Sequence, residues 1–441
     1  EDSRCPTDVV CVWAGTVRIR VLLKSGLGEA PQIFKLGEPI TTETEEITLT
    51  EVKPAPHAKT TIAPKDYRFT FIVKKRETPQ VLGAAQVVPL ATPPPSDIQD
   101  PTDQLVHHIL NIKAAPSVKA LAFSPDGREL WATMLLNTQH GVSVYNSETG
   151  QKTADIDLGS AGGVEILFSR SGTRAYVSQM ETAKVFEIDV ASKKVLREIY
   201  TKSSWTKVLE LSPNDTTLYA SNWLGNSVTE INLQDWSVKR TIKTVTTPRG
   251  LYATGDGKYL YVAGFDKGEI QKIDLATGLG TLVYKSGGAM RHMIADEDRG
   301  ILYISDMAKN VIWQLALTDD SVKKFVSTDN LPNTIALSPD KKILYVSCRG
   351  KNFSADNYYV PGPEWGTVLL FDTSNGKMLD AIVGGNQPTA LAVSPDGARM
   401  AFSDFLDARI EVFDVPAYEV LAGAGGGRSA IYKKEIQKEA Y

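Results

Sequence analysis

The chain has 441 residues, 42% of them hydrophobic and 23% charged, with a formal net charge of −4. Such values exclude a disordered or fibrous chain, and the acidic balance gives no general electrostatic case for nucleic acid, which would need a local basic patch. No stretch approaches the roughly 18 to 20 apolar residues of a membrane helix.

The chain opens on EDSRCP, without a charged and then apolar export signal, as a processed, mature form would. Cys5 and Cys11 lie in CPTDVVCVWAG. A disulfide closing that short loop is the economical reading and implies an oxidising compartment; two free thiols in a cytosolic protein are the alternative. The spacing is not CxxC and no Cys or His pair lies nearby, so no metal is expected. Next, VWAGTVRIRVLL, QIFKLG, EEITLTEV and DYRFTFIVKK alternate apolar with polar residues, the period of strands. Residues 1–84 are therefore expected to form a small β domain of sandwich or partial-barrel type. The Pro-rich run in 85–102 reads as an extended linker.

From 103 to 420 the chain repeats. A turn followed by an apolar strand recurs as SPDGRELWAT, SRSGTRAYVS, SPNDTTLYAS, TGDGKYLYVA, DEDRGILYIS, SPDKKILYVS and SPDGARMAFS. These turns start at Ser124, Ser169, Ser212, Thr254, Asp296, Ser338 and Ser394, spaced 42 to 45 residues apart except for a sixth interval of 56. Asp, Asn and Gly there supply the geometry of tight hairpins. Each turn follows a short apolar strand and precedes a second hairpin, so one repeat is a four-stranded antiparallel sheet. Seven such sheets pack face to face as an all-β, seven-bladed β-propeller. The last copy lacks a fourth strand, and QLVHHILNIKA at 104–114 would supply it and close the ring. After GAGGG, residues 421–441 read as a flexible polar tail.

The strands LYVS, LYVA, LYIS and LYAS after SPDG-type turns resemble the bacterial and archaeal YVTN propellers, relatives of the propeller lactonases. The resemblance implies a fold and leaves the activity open. The CPTDVVCVWAG segment also resembles a small β domain found on exported bacterial proteins.

Propellers bind at the channel mouth, where the loop entering each inner strand meets the loop leaving the second strand. The entry positions read Lys119, Val164, Lys207, Arg249, Arg291, Asn333 and Thr389. Four basic residues there, with His292 beside them, would attract a carboxylate or phosphate; alternatively they pair with Asp306 and Asp404 on the exit loops. Trp223, Phe265 and Phe405 follow the exit positions and serve either packing or ligand contact, and Arg349 follows Cys348. The long sixth interval places Phe353, Tyr358, Tyr359 and Trp365 in one loop, either a stacking surface or a packed cap. His292 is the one candidate for acid–base chemistry. No GxSxG, CxxCH or HExxH motif occurs, and no cofactor is expected.

These observations favour a non-enzymatic binding or scaffold protein of the bacterial envelope or surface. It would recognise a small anionic ligand or a protein partner through the mouth and the blade-six loop. The alternatives are a lactonase-like hydrolase, an exported nucleic-acid-binding propeller, and a subunit that self-assembles into a surface layer or filament.

Overall fold

The computed structural model describes residues 17–25, 28–37, 39–41, 45–56, 62–75, 103–136, 141–159, 161–351, 359–425 and 431–438. The expected Cys5–Cys11 disulfide and the Pro-rich linker lie outside the described residues, as do Phe353 and Tyr358. The chain divides into two compact units, Glu1–Pro93 and Pro94–Tyr441.

In the first unit Arg18–Ser25 and Gly28–Lys35 form an antiparallel hairpin. Pro39–Thr41, Glu45–Lys53 and Arg68–Lys75 form a three-stranded antiparallel sheet. Val17, Phe34, Ile47, Leu49 and Val52 bury together. Period two sends Ile47 and Leu49 inward, and a bulge between Leu49 and Glu51 resets the phase so that Val52 also turns inward.

The second unit is built of seven four-stranded antiparallel sheets. Blades one to six span 118–157, 166–200, 206–243, 248–285, 290–327 and 332–383. Blade seven takes three strands from 388–414 and its fourth, His107–Lys113, from the start of the unit. That strand pairs with Arg409–Asp414, Lys113 opposite Arg409 and His107 opposite Asp414, so the two ends of the ring zip together as the sequence implies. Neighbouring blades cover both faces of the second strands, which are therefore buried along nearly their whole length, as in Glu129–Met134. Outer strands such as Lys194–Tyr200 alternate exposed and half-buried residues.

The recurring turn has a physical cause. Ser124 Oγ donates to Asp126 Oδ1 at 2.5 Å and accepts the Glu129 N–H at 3.0 Å, so one hydroxyl ties the turn to the strand it launches. Ser338 with Asp340, Ser394 with Asp396 and Thr254 with Asp256 repeat the arrangement.

The carboxyl-terminal segment differs from the expected free tail. Tyr418–Gly423 is a short helix with Leu421 buried. Further on, Tyr432 is 1% exposed in the core of blades five and six, and its hydroxyl donates to Asp329 at 3.4 Å. Lys433 pairs with the same carboxylate, the Trp365 N–H donates to the Ile436 carbonyl at 2.8 Å, and the Lys438 ammonium lies 4.3 Å from the centre of the Trp365 ring. Tyr432 and Ile436 are the reason: their apolar area is worth roughly 1.5–3 kcal/mol per side chain when buried, which outweighs the polar character of the rest.

Candidate functional site

The mouth is shaped by three devices that recur from blade to blade. First, Ser117, Trp205, Thr247, Leu331 and Gln387, which precede inner strands, have φ between 49° and 66°. Left-handed backbone at non-glycine residues costs about 1–2 kcal/mol and persists where surrounding structure demands it. Second, their carbonyls accept the N–H groups of Leu135, Trp223, Phe265, Arg349 and Phe405 at 2.9–3.2 Å, which sets each exit side chain beside the entry of its own blade. Third, the pairing of inner and second strands shifts register at the entry residue, between Val118 and Ala120, Thr206 and Leu209, Pro248 and Leu251, Met290 and Met293, Pro332 and Ile335, and Pro388 and Leu391. Such bulges re-aim a side chain and leave backbone groups unpaired.

A hydroxyl in the second strand satisfies those groups. Ser305 Oγ accepts the His292 N–H at 3.1 Å and donates to the Asn333 carbonyl of the next blade at 2.8 Å. Ser403 joins the Ala390 N–H to the Val118 carbonyl, Thr133 the Ala120 N–H to the Val164 carbonyl, and Ser347 the Thr334 N–H to the Thr389 carbonyl. The hydroxyl that ends these strings, at Thr133, Ser178, Ser305, Ser347 and Ser403, is thus a staple between blades, whereas Ser221 bonds only within its own blade and Ala263 has none. Sequence reasoning used these strings only to count blades. The signal that could have found the staples is a Ser or Thr recurring at the same place in the buried second strands.

Lys119, Lys207, Arg249 and Arg291 come from four blades and line one cavity of about 590 Å³, with Glu165 and His292 in the same lining. Lys207 Nζ stands 3.2 Å from the centre of the Trp223 ring, the Arg249 guanidinium 4.7 Å from it, and Trp223 and Phe265 pack with ring centres 5.0 Å apart. Burial, and then Arg249, Lys119 and Arg291, hold the Lys207 ammonium well below the usual lysine range. The apolar side of the mouth consists of Leu135, Val164 and Phe405. Lys119 Nζ lies 5.2 Å from the Phe405 ring centre, and Tyr359 of the blade-six loop is 6.1 Å from the same ring. Trp223 and Phe405 therefore combine packing with a place at the mouth.

Asp306, Asp404, Arg349 and Trp365, expected at the site, do not join that lining. Asp306 is fully buried and turned into its own blade, where it takes hydrogen bonds from Ser286 Oγ at 2.6 Å, the Ala289 N–H at 2.8 Å and Trp313 Nε1 at 3.1 Å. Asp404 is likewise buried, bound to Arg409 Nη2 at 2.6 Å and the Gly385 N–H at 2.8 Å. These bonds tie both acids into the structure of their own blades. Trp365 is covered by the carboxyl-terminal segment. Arg349 is 4% exposed and donates to Gln387. Burial, with Arg291 and Arg249, pushes His292 down to about 3, so its imidazole is neutral and a poor proton acceptor near pH 7. Cys348 is buried and its thiol pushed up to about 12.

The cavity continues past the cations to Glu210, Tyr252 and Glu297. Tyr252 donates to Glu297 Oε1 at 2.6 Å, and burial pushes the Glu210 carboxyl up to about 8. Among the described residues no helix is long and apolar enough to cross a membrane.

The fold and site together define a seven-bladed β-propeller with a buried cationic mouth. No family model matches the chain. It is 33% identical over 259 residues to Antigen Lp49 of Leptospira interrogans serogroup Icterohaemorrhagiae serovar copenhageni, covering 57% of this chain and 57% of that protein's length. Two solved structures share the fold at low identity. Kuenenia stuttgartiensis hydrazine synthase matches at 18% identity and TM-score 0.57, over 68% of this chain and 96% of that one. The Cps50 (Swd1) β-propeller domain of Myceliophteria thermophila matches at 15% and 0.58, over 70% and 100%.

Proposed function

We propose that this protein is a non-enzymatic binding protein of the bacterial envelope or cell surface that takes an anionic ligand, or an anionic group of a partner, at the propeller mouth. The observation that carries the reading is the convergence of Lys119, Lys207, Arg249 and Arg291 from four blades on one cavity, two of them held against Trp223. Fixed cations in a concave, partly desolvated site attract an anion more strongly than the same charges on open surface. The neutral His292 argues against hydrolysis by acid–base catalysis at this site. Likeness to a protein described as an antigen, together with the CPTDVVC segment, supports placement outside the cytoplasm.

Two measurements test the reading. Arg249→Glu with Arg291→Glu should abolish the change in Trp223 fluorescence that small anions produce, with Trp223→Phe as the control for signal origin. An unaltered titration in the double variant would exclude the mouth. Brief protease treatment of intact cells should remove the protein if it faces outward, and complete protection would refute surface placement.

A further inference from the structure

We propose that the carboxyl-terminal segment is a latch for the blade-six loop, the two docking as one cooperative unit whose release frees Tyr359 from Phe405 at the mouth. The latch does not depend on what the mouth binds. The loop spans 349–366, between the strands Ile343–Cys348 and Thr367–Asp372, and in its return arm the Tyr359 ring centre lies 6.1 Å from that of Phe405. That arm takes its backbone pairing from the end of the chain. The Trp365 N–H donates to the Ile436 carbonyl at 2.8 Å and the Lys438 N–H to the Pro363 carbonyl at 3.1 Å, with Glu364 and Gln437 bridged antiparallel between them. Lys438 Nζ donates to the Gly362 carbonyl at 2.7 Å as well.

The segment is tied on both flanks of the loop. Lys433 pairs with Asp329 on the connection into blade six, and Lys438 Nζ donates to Asn386 on the connection into blade seven. Glu364 joins the parts: its Oε2 accepts the Lys351 N–H of the outgoing arm at 3.0 Å and Asn330 Nδ2 at 2.7 Å, and its Oε1 accepts Gln437 Nε2 at 3.3 Å. Tyr432 and Ile436 bury in the cluster that holds Cys348, the residue from which the loop departs. Two apolar side chains offset little more than the entropy lost in ordering 431–438, and so short a ladder does not stand alone. The return arm needs the segment for its pairing, and the segment needs the arm for its hydrogen bonds. The two therefore open together, below the free energy of global unfolding, and loosening either must loosen the other to the same degree.

The experiment is hydrogen exchange of the full chain, read at single amides. Tyr432→Ala weakens the anchor of the segment and should speed exchange about tenfold at the Lys351 amide, which bonds to Glu364 and not to the segment itself. In the other direction, Glu364→Ala weakens the loop and should speed exchange about as much at the Glu435 amide, which bonds within the segment to the Tyr432 carbonyl at 2.9 Å. Amides of blade three report whether a variant has disturbed the ring as a whole, and Lys433→Ala gives a second reading on the segment should Tyr432→Ala do so. Unchanged exchange at Lys351 in both segment variants would mean a tail that docks without holding the loop. Unchanged exchange at Glu435 in Glu364→Ala would mean two elements that order separately. Either result overturns the latch.

Discussion

Lys207 and Trp223 form the tightest ring–cation contact at the mouth, 3.2 Å from ammonium nitrogen to ring centre. The relationship is made by backbone. A left-handed Trp205 turns the chain into blade three, and its carbonyl takes the Trp223 N–H at 2.9 Å, which sets the indole beside the residue two places after the turn. A cation over an indole gains about 0.5–2 kcal/mol, more where water is excluded. The indole therefore offsets part of the cost of burying Lys207 among other cations.

The hydroxyl staples predict a stability pattern. Ser305→Ala would orphan the buried His292 N–H and the Asn333 carbonyl together. An unsatisfied buried group costs about 1–3 kcal/mol. Urea unfolding should show a loss of that size for Ser305→Ala and Ser403→Ala. Losses below about 0.5 kcal/mol, the range of neutral surface changes, would mean the staples are incidental.

Closure makes a second prediction. Deleting 104–114 removes the strand that pairs with Arg409–Asp414 and uncovers Ile410 and Val412, both fully buried. The melting transition of the propeller should fall by several degrees or lose cooperativity. A transition identical to the parent's would refute the pairing.

Titration gives a third. Burial raises the Glu210 carboxyl from its ordinary 4.5 to about 8 in the folded protein, so the folded state holds the extra proton between those limits. Its contribution is full below about pH 4.5 and is lost as pH rises toward 8. His292 runs oppositely, from 6.5 down to about 3, and costs stability as pH falls through that window. The lowered Lys119 and Lys207 oppose Glu210 on the alkaline side, so the informative quantity is the difference between variant and parent. Relative to the parent, Glu210→Gln should gain melting temperature between pH 5 and pH 9. His292→Gln should gain on going from pH 7 to pH 4. A flat difference across either range would contradict the corresponding assignment.

The carboxyl-terminal segment gives a fourth. Tyr432→Ala removes a fully buried ring from the cluster that holds Cys348 and Ile436, and should cost about 3–5 kcal/mol in chemical denaturation. Termination after Gly425 should lower stability at least as far and expose Trp365 to collisional quenchers. A truncated chain as stable as the parent would restore the free tail expected from composition.

Blade number, the closing strand and the turn chemistry were legible in the sequence because each is local. A 42-residue period, a Ser or Thr bonding an acid two residues on, and a strand without a partner can all be read in one window. The entry and exit positions of the mouth followed from the same alignment, which is why Lys119, Lys207, Arg249 and Arg291 were found. Asp306 and Asp404 misled, since an acid at an exit position either faces the channel or folds back on its own loop, and the choice rests on the neighbouring backbone N–H groups of Ala289 and Gly385.

The sequence by itself thus determined a ring of seven sheets and the residues that reach its mouth, because repetition converts local pattern into global architecture. Only the tertiary structure decided what those residues meet. The docking of Lys433 on Asp329 joins positions 104 residues apart, and the turning of Asp404 onto Arg409 depends on which side of a loop is dry. Neither leaves a periodic trace, for desolvation and charge crowding arise only when distant segments close around the same volume.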